Sequence, residues 1–257
     1  MKIALISLSN EGAHLVSRLA RGFTRPDLFL HDGVSGEIGA SRFSSIVTLT
    51  REVFDKYEGL VYAAPCGAVV RALAPNVQDK QMDPAVVVVD VVGRFVISLL
   101  SGHEGGANAL AIRVGNILGS EPVITTTTEA LKTVIVGIGC RRGTGAEAII
   151  HAVKEALKQA SVELAQVRLL ASADVKADEE GLWTAADQLG VPLRLISSEE
   201  ICLSGRSFEC SDFVKLKVGL PAVAEPAAIL AGRRTRLILS KMVYEGVTVA
   251  VAQESFT

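Results

Sequence analysis

A chain of 257 residues with an apolar fraction of 49% can bury cores in one large or two modest domains, and two is the expectation here. Its formal charge of −2 is spread evenly over both halves, which gives no sign of a nucleic-acid surface or a disordered tail. The longest β-branched run, Ala85 to Val92, is broken by Asp90 and too short to span a bilayer; Ile3 to Leu8 is too short for a signal-peptide core. Cys66, Cys140, Cys202 and Cys210 show no C-x-x-C spacing and fit reduced thiols, so a soluble, cytoplasmic protein is expected.

Lys2 to Leu8 reads as a strand, and Glu11 to Arg21 follows with a helical apolar stripe at Leu15, Val16 and Leu19. Leu28 to His31 is a second strand, Gly33 to Ser41 a glycine-rich connector, and Ser45 to Leu49 a further strand before a helix over Arg51 to Tyr57. Gly59 to Ala64 is a buried strand ending at Pro65-Cys66-Gly67, and Ala68 to Ala74 a helix stopped by Pro75. Val86 to Val89 and Phe95 to Leu100 are strands with a hairpin turn at Gly93, Ala109 to Leu118 is a helix, and Pro122 to Thr126 another strand. Thr127 to Lys132 has no clear period and marks the domain boundary, giving domains 1–130 and 131–257.

The second half opens with Thr133 to Gly139, a strand, and Ala146 to Lys158, a helix. Val167 to Ala171 and Leu193 to Ile196 are strands around a helix from Asp174 to Leu189; Ser198 caps a short helix, and Gly205 to Lys215 is a loop. Ala224 to Ala228 opens a helix with Pro226 in its first turn, and Arg236 to Leu239 with Thr248 to Ala252 form a closing antiparallel pair through Glu245-Gly246. Strands alternating with helices give the fold class as two α/β domains, each with a mainly parallel or mixed sheet flanked by helices.

Chemistry concentrates in Ser101-Gly102-His103-Glu104-Gly105-Gly106-Ala107-Asn108, between a strand and a helix. Three glycines let the backbone adopt positive φ and let a ligand approach main-chain amides, with His103 and Asn108 aimed at one cleft. A plain connector, with His103 solvated and Asn108 capping the helix, has the same residues. A zincin motif is excluded because Ala107 stands where the second histidine would be. The second half has Gly137-Ile138-Gly139-Cys140-Arg141-Arg142-Gly143-Thr144, one residue off the dinucleotide fingerprint and without the acidic residue that should follow. Its amides and two arginines instead suit a carboxylate. His14, His31 and His151 have no metal-ligand spacing.

Taken together these stretches resemble the cobalt-precorrin-5A hydrolases of anaerobic cobalamin biosynthesis, the CbiG family. The resemblance rests on Gly67-Ala68-Val69-Val70-Arg71, Ala74-Pro75, Asp79-Lys80, Asp83-Pro84-Ala85-Val86, Leu99 to Asn108 and Val123 to Thr126. In the second half it rests on Gly137 to Thr144, Ala171-Ser172 with Lys176 and Glu180, and Val223 to Ala228, where the chain also resembles the small protein CobE. Val91, Glu104 and Thr127-Thr128-Glu129 depart from the pattern.

The resemblance implies hydrolysis of the ring-A δ-lactone of a cobalt-bearing tetrapyrrole with loss of acetaldehyde. Such chemistry needs a base, oxyanion donors and cationic clamps for peripheral carboxylates. The expected catalytic residues are His103 as base, Glu104 or Asp83 orienting it, and Asn108 with the Gly105-Gly106 amides as oxyanion donors. Arg71, Lys80, Asp83, Ser101, Gly102, Gly105, Gly106, Gly139, Arg141, Arg142, Thr144 and Glu225 are expected substrate contacts. Glu225 and Lys176 are equally explained by a helix cap or a buried ion pair. The protein is expected to need no cofactor, cobalt belonging to the substrate. Expected partners are the tetrapyrrole, other enzymes of the corrin pathway and a second copy of the chain, with no nucleic acid and no membrane. A non-catalytic corrinoid carrier is the alternative, and a nucleotide-binding regulator is disfavoured by the broken fingerprint.

Overall fold

The computed structural model describes residues 1–36, 39–204 and 223–256. The chain divides into two compact units, Met1–Thr126 and Thr127–Thr257.

In the first unit a seven-stranded sheet has the order β3-β2-β1-β4-β5-β6-β7. Its strands are β1 (Ile3–Ser7), β2 (Asp27–His31), β3 (Ser41–Phe43), β4 (Gly59–Ala63), β5 (Ala85–Val89), β6 (Phe95–Leu100) and β7 (Glu121–Val123). β1 to β5 are parallel; β6 runs against β5, and β7 runs with β6. Gly93, at φ +74°, turns the β5–β6 hairpin, and the Asp90 carboxylate braces it by accepting from the amides of Val92, Arg94 and Phe95. Both faces are covered, so central strands read as unbroken apolar runs rather than alternating ones. Helix α1 (Asn10–Ala20) and helix α4 (Ala107–Leu118) pack Val16, Leu19, Leu110 and Val114 on Leu5, Val61 and Val87. Helix α2 (Ile46–Val53) and helix α3 (Cys66–Leu73) put Leu49, Val53, Val69 and Leu73 on Ile6, Leu60 and Val86.

The expected strand over Ser45 to Leu49 is a helix instead. Ser45 caps α2 by accepting from the Thr48 amide, and Leu49, Thr50 and Val53 are its buried residues. The strand before it is the three-residue β3. Helix α4 is capped by Gly106 rather than by Asn108, which lies in the first turn.

The second unit begins with the short helix α5 (Thr127–Ala130) and is built on a five-stranded sheet in the order β10-β9-β8-β12-β11. β8 (Val134–Gly139), β9 (Val167–Ala173) and β10 (Leu193–Ile196) are parallel; β12 (Val247–Glu254) is antiparallel to both β8 and β11 (Thr235–Tyr244). Helix α6 (Ala146–Gln159) and helix α7 (Glu180–Leu189) bury Ile149, Val153, Leu182 and Ala185 on Val136, Ile138 and Leu170. Helix α8 (Ser198–Leu203) is capped by Ser197, one residue earlier than expected. Helix α9 (Ala224–Leu230) packs Ala224 and Ala228 on Ala250 and Ala252, against the other sheet face. The expected helix from Asp174 is interrupted: Asp174–Lys176 forms a single 3₁₀ turn, and α7 starts at Glu180. The expected loop at Gly205 to Lys215 lies outside the described residues. Cys66, Cys140 and Cys202 are free thiols. Among the described residues no helix is long and apolar enough to cross a membrane.

Candidate functional site

Because β6 and β7 run opposite to the rest of their sheet, the loop after β6 emerges at the edge where β1, β4 and β5 begin. The glycine-rich motif therefore sits away from the β1/β4 switch point, where open α/β sheets commonly bind ligands. It still lies at the carboxyl ends of the parallel pair β6 and β7. Ser101, at φ +56°, turns the chain out of β6. The loop then closes on the start of α4, with the Ala107 amide donating to the Ser101 carbonyl (3.1 Å) and the Asn108 amide to the Gly102 carbonyl (2.9 Å). Gly105 is dictated by crowding, since a Cβ there would stand 2.4 Å from Ser101 Cβ. Among the described residues the Gly105 and Gly106 amides have no hydrogen-bond partner, and they sit at the positive end of a twelve-residue helix.

A second loop, residues 76–84, lies against the first. Lys80 Nζ is 2.9 Å from Glu104 Oε1, both side chains being exposed, and a Cβ on Gly105 would stand 3.2 Å from the Asp83 carbonyl oxygen. The Lys80 hydrogen bond, helped by the residue's own backbone, holds the Glu104 carboxyl below the usual carboxylate range; the same bond raises Lys80. Asp83 is buried and both its carboxylate oxygens accept from the Gln78 amide (3.1 and 3.2 Å), fixing the second loop. Neither carboxylate orients His103, whose exposed imidazole has no hydrogen-bond partner among the described residues. Lys80→Ala should bring the Glu104 titration back up toward the ordinary carboxylate range, as read by side-chain NMR against pH; an unchanged midpoint would mean that the pair does not form in solution.

Asn108 is a brace. Its Oδ1 accepts from Ser98 Oγ (2.8 Å) and its Nδ2 donates to Thr126 Oγ1 (2.9 Å), tying the loop to β6 and to the segment after β7. Gly102 permits this approach, for a Cβ would meet Thr126 Cγ2 at 2.7 Å. Ser98, a polar residue in the apolar run Phe95 to Leu100, was the available sequence signal for this brace. Arg71 is not brought to the motif: its Nη1 donates to the Gly67 carbonyl at the start of α3 (3.2 Å), near the opposite sheet edge.

The remaining expected contacts, Gly139, Arg141, Arg142, Thr144 and Glu225, belong to the second unit. There the loop from Cys140 to Gly145 meets the segment from Asp174 to Glu179. Glu179, buried, accepts from the Gly143 amide (2.8 Å) and lies 3.3 Å from Lys176 Nζ and 3.8 Å from Arg142 Nε; Arg142 also pairs with Asp178. The carboxylate at this loop is thus the chain's own. Thr144 Oγ1 donates to the Arg141 carbonyl (2.7 Å), Arg141 lies beside Gly246 of the β11–β12 turn, and burial pushes the Cys140 thiol up. Glu225, buried, accepts from the Lys241 amide (2.9 Å), where the β11 ladder shifts register. The buried ion pair that the sequence offered for Lys176 is present, with Glu179 as its partner; Glu179 itself was not expected, because it lies 39 residues beyond Cys140 and nothing local links them. No group of three or more His, Cys, Asp or Glu side chains suited to a metal is found among the described residues.

A sheet-flanked strand-to-helix turn with an exposed histidine and, among the described residues, two unpartnered amides places the chain among two-unit α/β proteins. Residues 48–129 match the family described as Cobalamin synthesis G N-terminal, and residues 134–252 match Cobalamin synthesis G C-terminus. The chain belongs to the cobalamin synthesis G (CbiG) family. It is 27% identical to the cobalt-precorrin-5A hydrolase of Priestia megaterium, covering 97% of this chain and 94% of that one. It is 26% identical to the cobalt-precorrin-5A hydrolase of Salmonella typhimurium, covering 97% of each. Protein CobE of Sinorhizobium sp is 35% identical over 49% of this chain and 83% of its own.

Proposed function

We propose that the chain is a cobalt-precorrin-5A hydrolase, opening the ring-A δ-lactone of its cobalt-bearing tetrapyrrole and releasing acetaldehyde to give cobalt-precorrin-5B. The observation that supports this reading most is an exposed His103 in the same short loop as the Gly105 and Gly106 amides, all three without a hydrogen-bond partner among the described residues, in a family member that matches two hydrolases over nearly its whole length. His103 takes a proton from water as the oxygen adds to the lactone acyl carbon. The amides stabilise the charge that develops on the acyl oxygen, the ring C–O bond breaks, and the leaving oxygen is reprotonated; loss of that hydroxyl's proton then breaks its carbon's bond to the macrocycle, acetaldehyde leaves, and the electron pair left on the ring carbon takes up a proton. Asn108 positions the loop. Lys80 pairs with a peripheral carboxylate as a charge-assisted contact. Cobalt arrives with the substrate.

The test is acetaldehyde formation on anaerobic mixing of purified protein with the lactone-bearing cobalt intermediate. Release supports the hydrolase. Tight binding of the macrocycle without release would replace it with a carrier.

A further inference from the structure

Ser101 combines two unfavourable features that nothing among the described residues offsets. Its backbone φ of +56° is strained for any residue with a side chain, and glycine, used at three of the next five positions, would be unstrained there. Its hydroxyl is buried, the residue being 7% exposed, and among the described residues it has no hydrogen-bond partner. Glycine or alanine would remove one or both penalties, so an oxygen supplied from outside the chain is the natural partner for this hydroxyl. Ser101 packs its Cβ where a Gly105 side chain would begin, which puts the hydroxyl-bearing carbon beside one of the two residues with a free amide.

We propose that Ser101 is a further catalytic residue, its hydroxyl donating to the acyl oxygen that the Gly105 and Gly106 amides also bind. This rests on the lactone hydrolysis proposed above and adds a third donor to it. No covalent bond to Ser101 is made or broken.

The experiment compares wild type, Ser101→Ala and Ser101→Gly for acetaldehyde release from the lactone-bearing intermediate, and for thermal unfolding without substrate. Loss of an oxyanion donor should lower kcat by about 10² to 10³ in both variants. KM should stay within about threefold, because the bond strengthens only in the transition state. Ser101→Ala should unfold at the wild-type temperature or above it, and Ser101→Gly higher still, as strain is relieved. A kcat unchanged in Ser101→Ala overturns the role. So does a lower Tm in Ser101→Ala, which would mark the hydroxyl as a structural group bonded to a buried water. Absence of turnover in wild type overturns the hydrolase reading itself, whereas wild-type turnover that Ser101→Ala retains overturns this role alone.

Discussion

His103→Ala should reduce acetaldehyde release by about 10² to 10⁴, the usual worth of a positioned general base, while the macrocycle still binds. The size of the effect follows from how the other proton acceptors of the two loops are engaged. Glu104 is bonded to Lys80 and held below the usual carboxylate range, which makes it a poor base. Asp83 accepts the Gln78 amide with both oxygens and is buried. The His103 imidazole is exposed and, among the described residues, has no hydrogen-bond partner. Its removal leaves the loop otherwise intact, because Ala107, Asn108, Gly102 and Thr126 make the bracing contacts. Thermal unfolding should therefore match wild type. Absorbance titration of the macrocycle separates lost binding from lost turnover, and wild-type turnover in the variant would remove His103 from the mechanism.

How much of this arrangement the sequence discloses depends on the range of the interaction concerned. The opening strand and helix, the Gly93 hairpin and the motif loop are local, and all stand where residue patterns put them. Helix α2 is the instructive failure. Ile46-Val47-Thr48-Leu49-Thr50 is a β-branched run that propensity reads as a strand, yet the Ser45 cap and the packing of Leu49 and Val53 on the sheet favour a helix. Sheet direction lies equally beyond local reading: only the antiparallel β5–β6 register sends the motif to the edge opposite the β1/β4 crevice and separates it from the Arg71 guanidinium at Gly67. Pairs such as Lys80–Glu104 and Gly143–Glu179 join residues 24 and 36 apart, and the residue types alone do not choose such partners. Ser101 was legible as part of a motif, but its left-handed backbone was hidden because a serine, not a glycine, adopts it.

Gly137→Ala should be the most damaging single methyl in the second unit, costing about 3 kcal/mol or more and lowering Tm by roughly 10 °C. The reason is a clash with main chain that no rotamer can relieve. A Cβ at Gly137 would stand 1.9 Å from the Ala224 carbonyl oxygen and 2.8 Å from the Ala228 nitrogen, so α9 must lift from the sheet and uncover Ala224, Ala228, Ala250 and Ala252. The other glycines of the same motif answer to different physics. At Gly139 the nearest atom would be Val223 Cβ at 3.4 Å, an ordinary contact, and Gly139→Ala should leave Tm nearly unchanged. Gly143 has open space around it but sits at φ +75°, so Gly143→Ala should show a moderate loss from strain alone. The glycine spacing that approaches a dinucleotide fingerprint thus has a structural cause: one glycine admits a helix, another a left-handed turn whose amide is taken by Glu179. Thermal melts of the three variants test this ordering. Equal losses at Gly137 and Gly139 would mean that α9 does not dock on β8 at this distance.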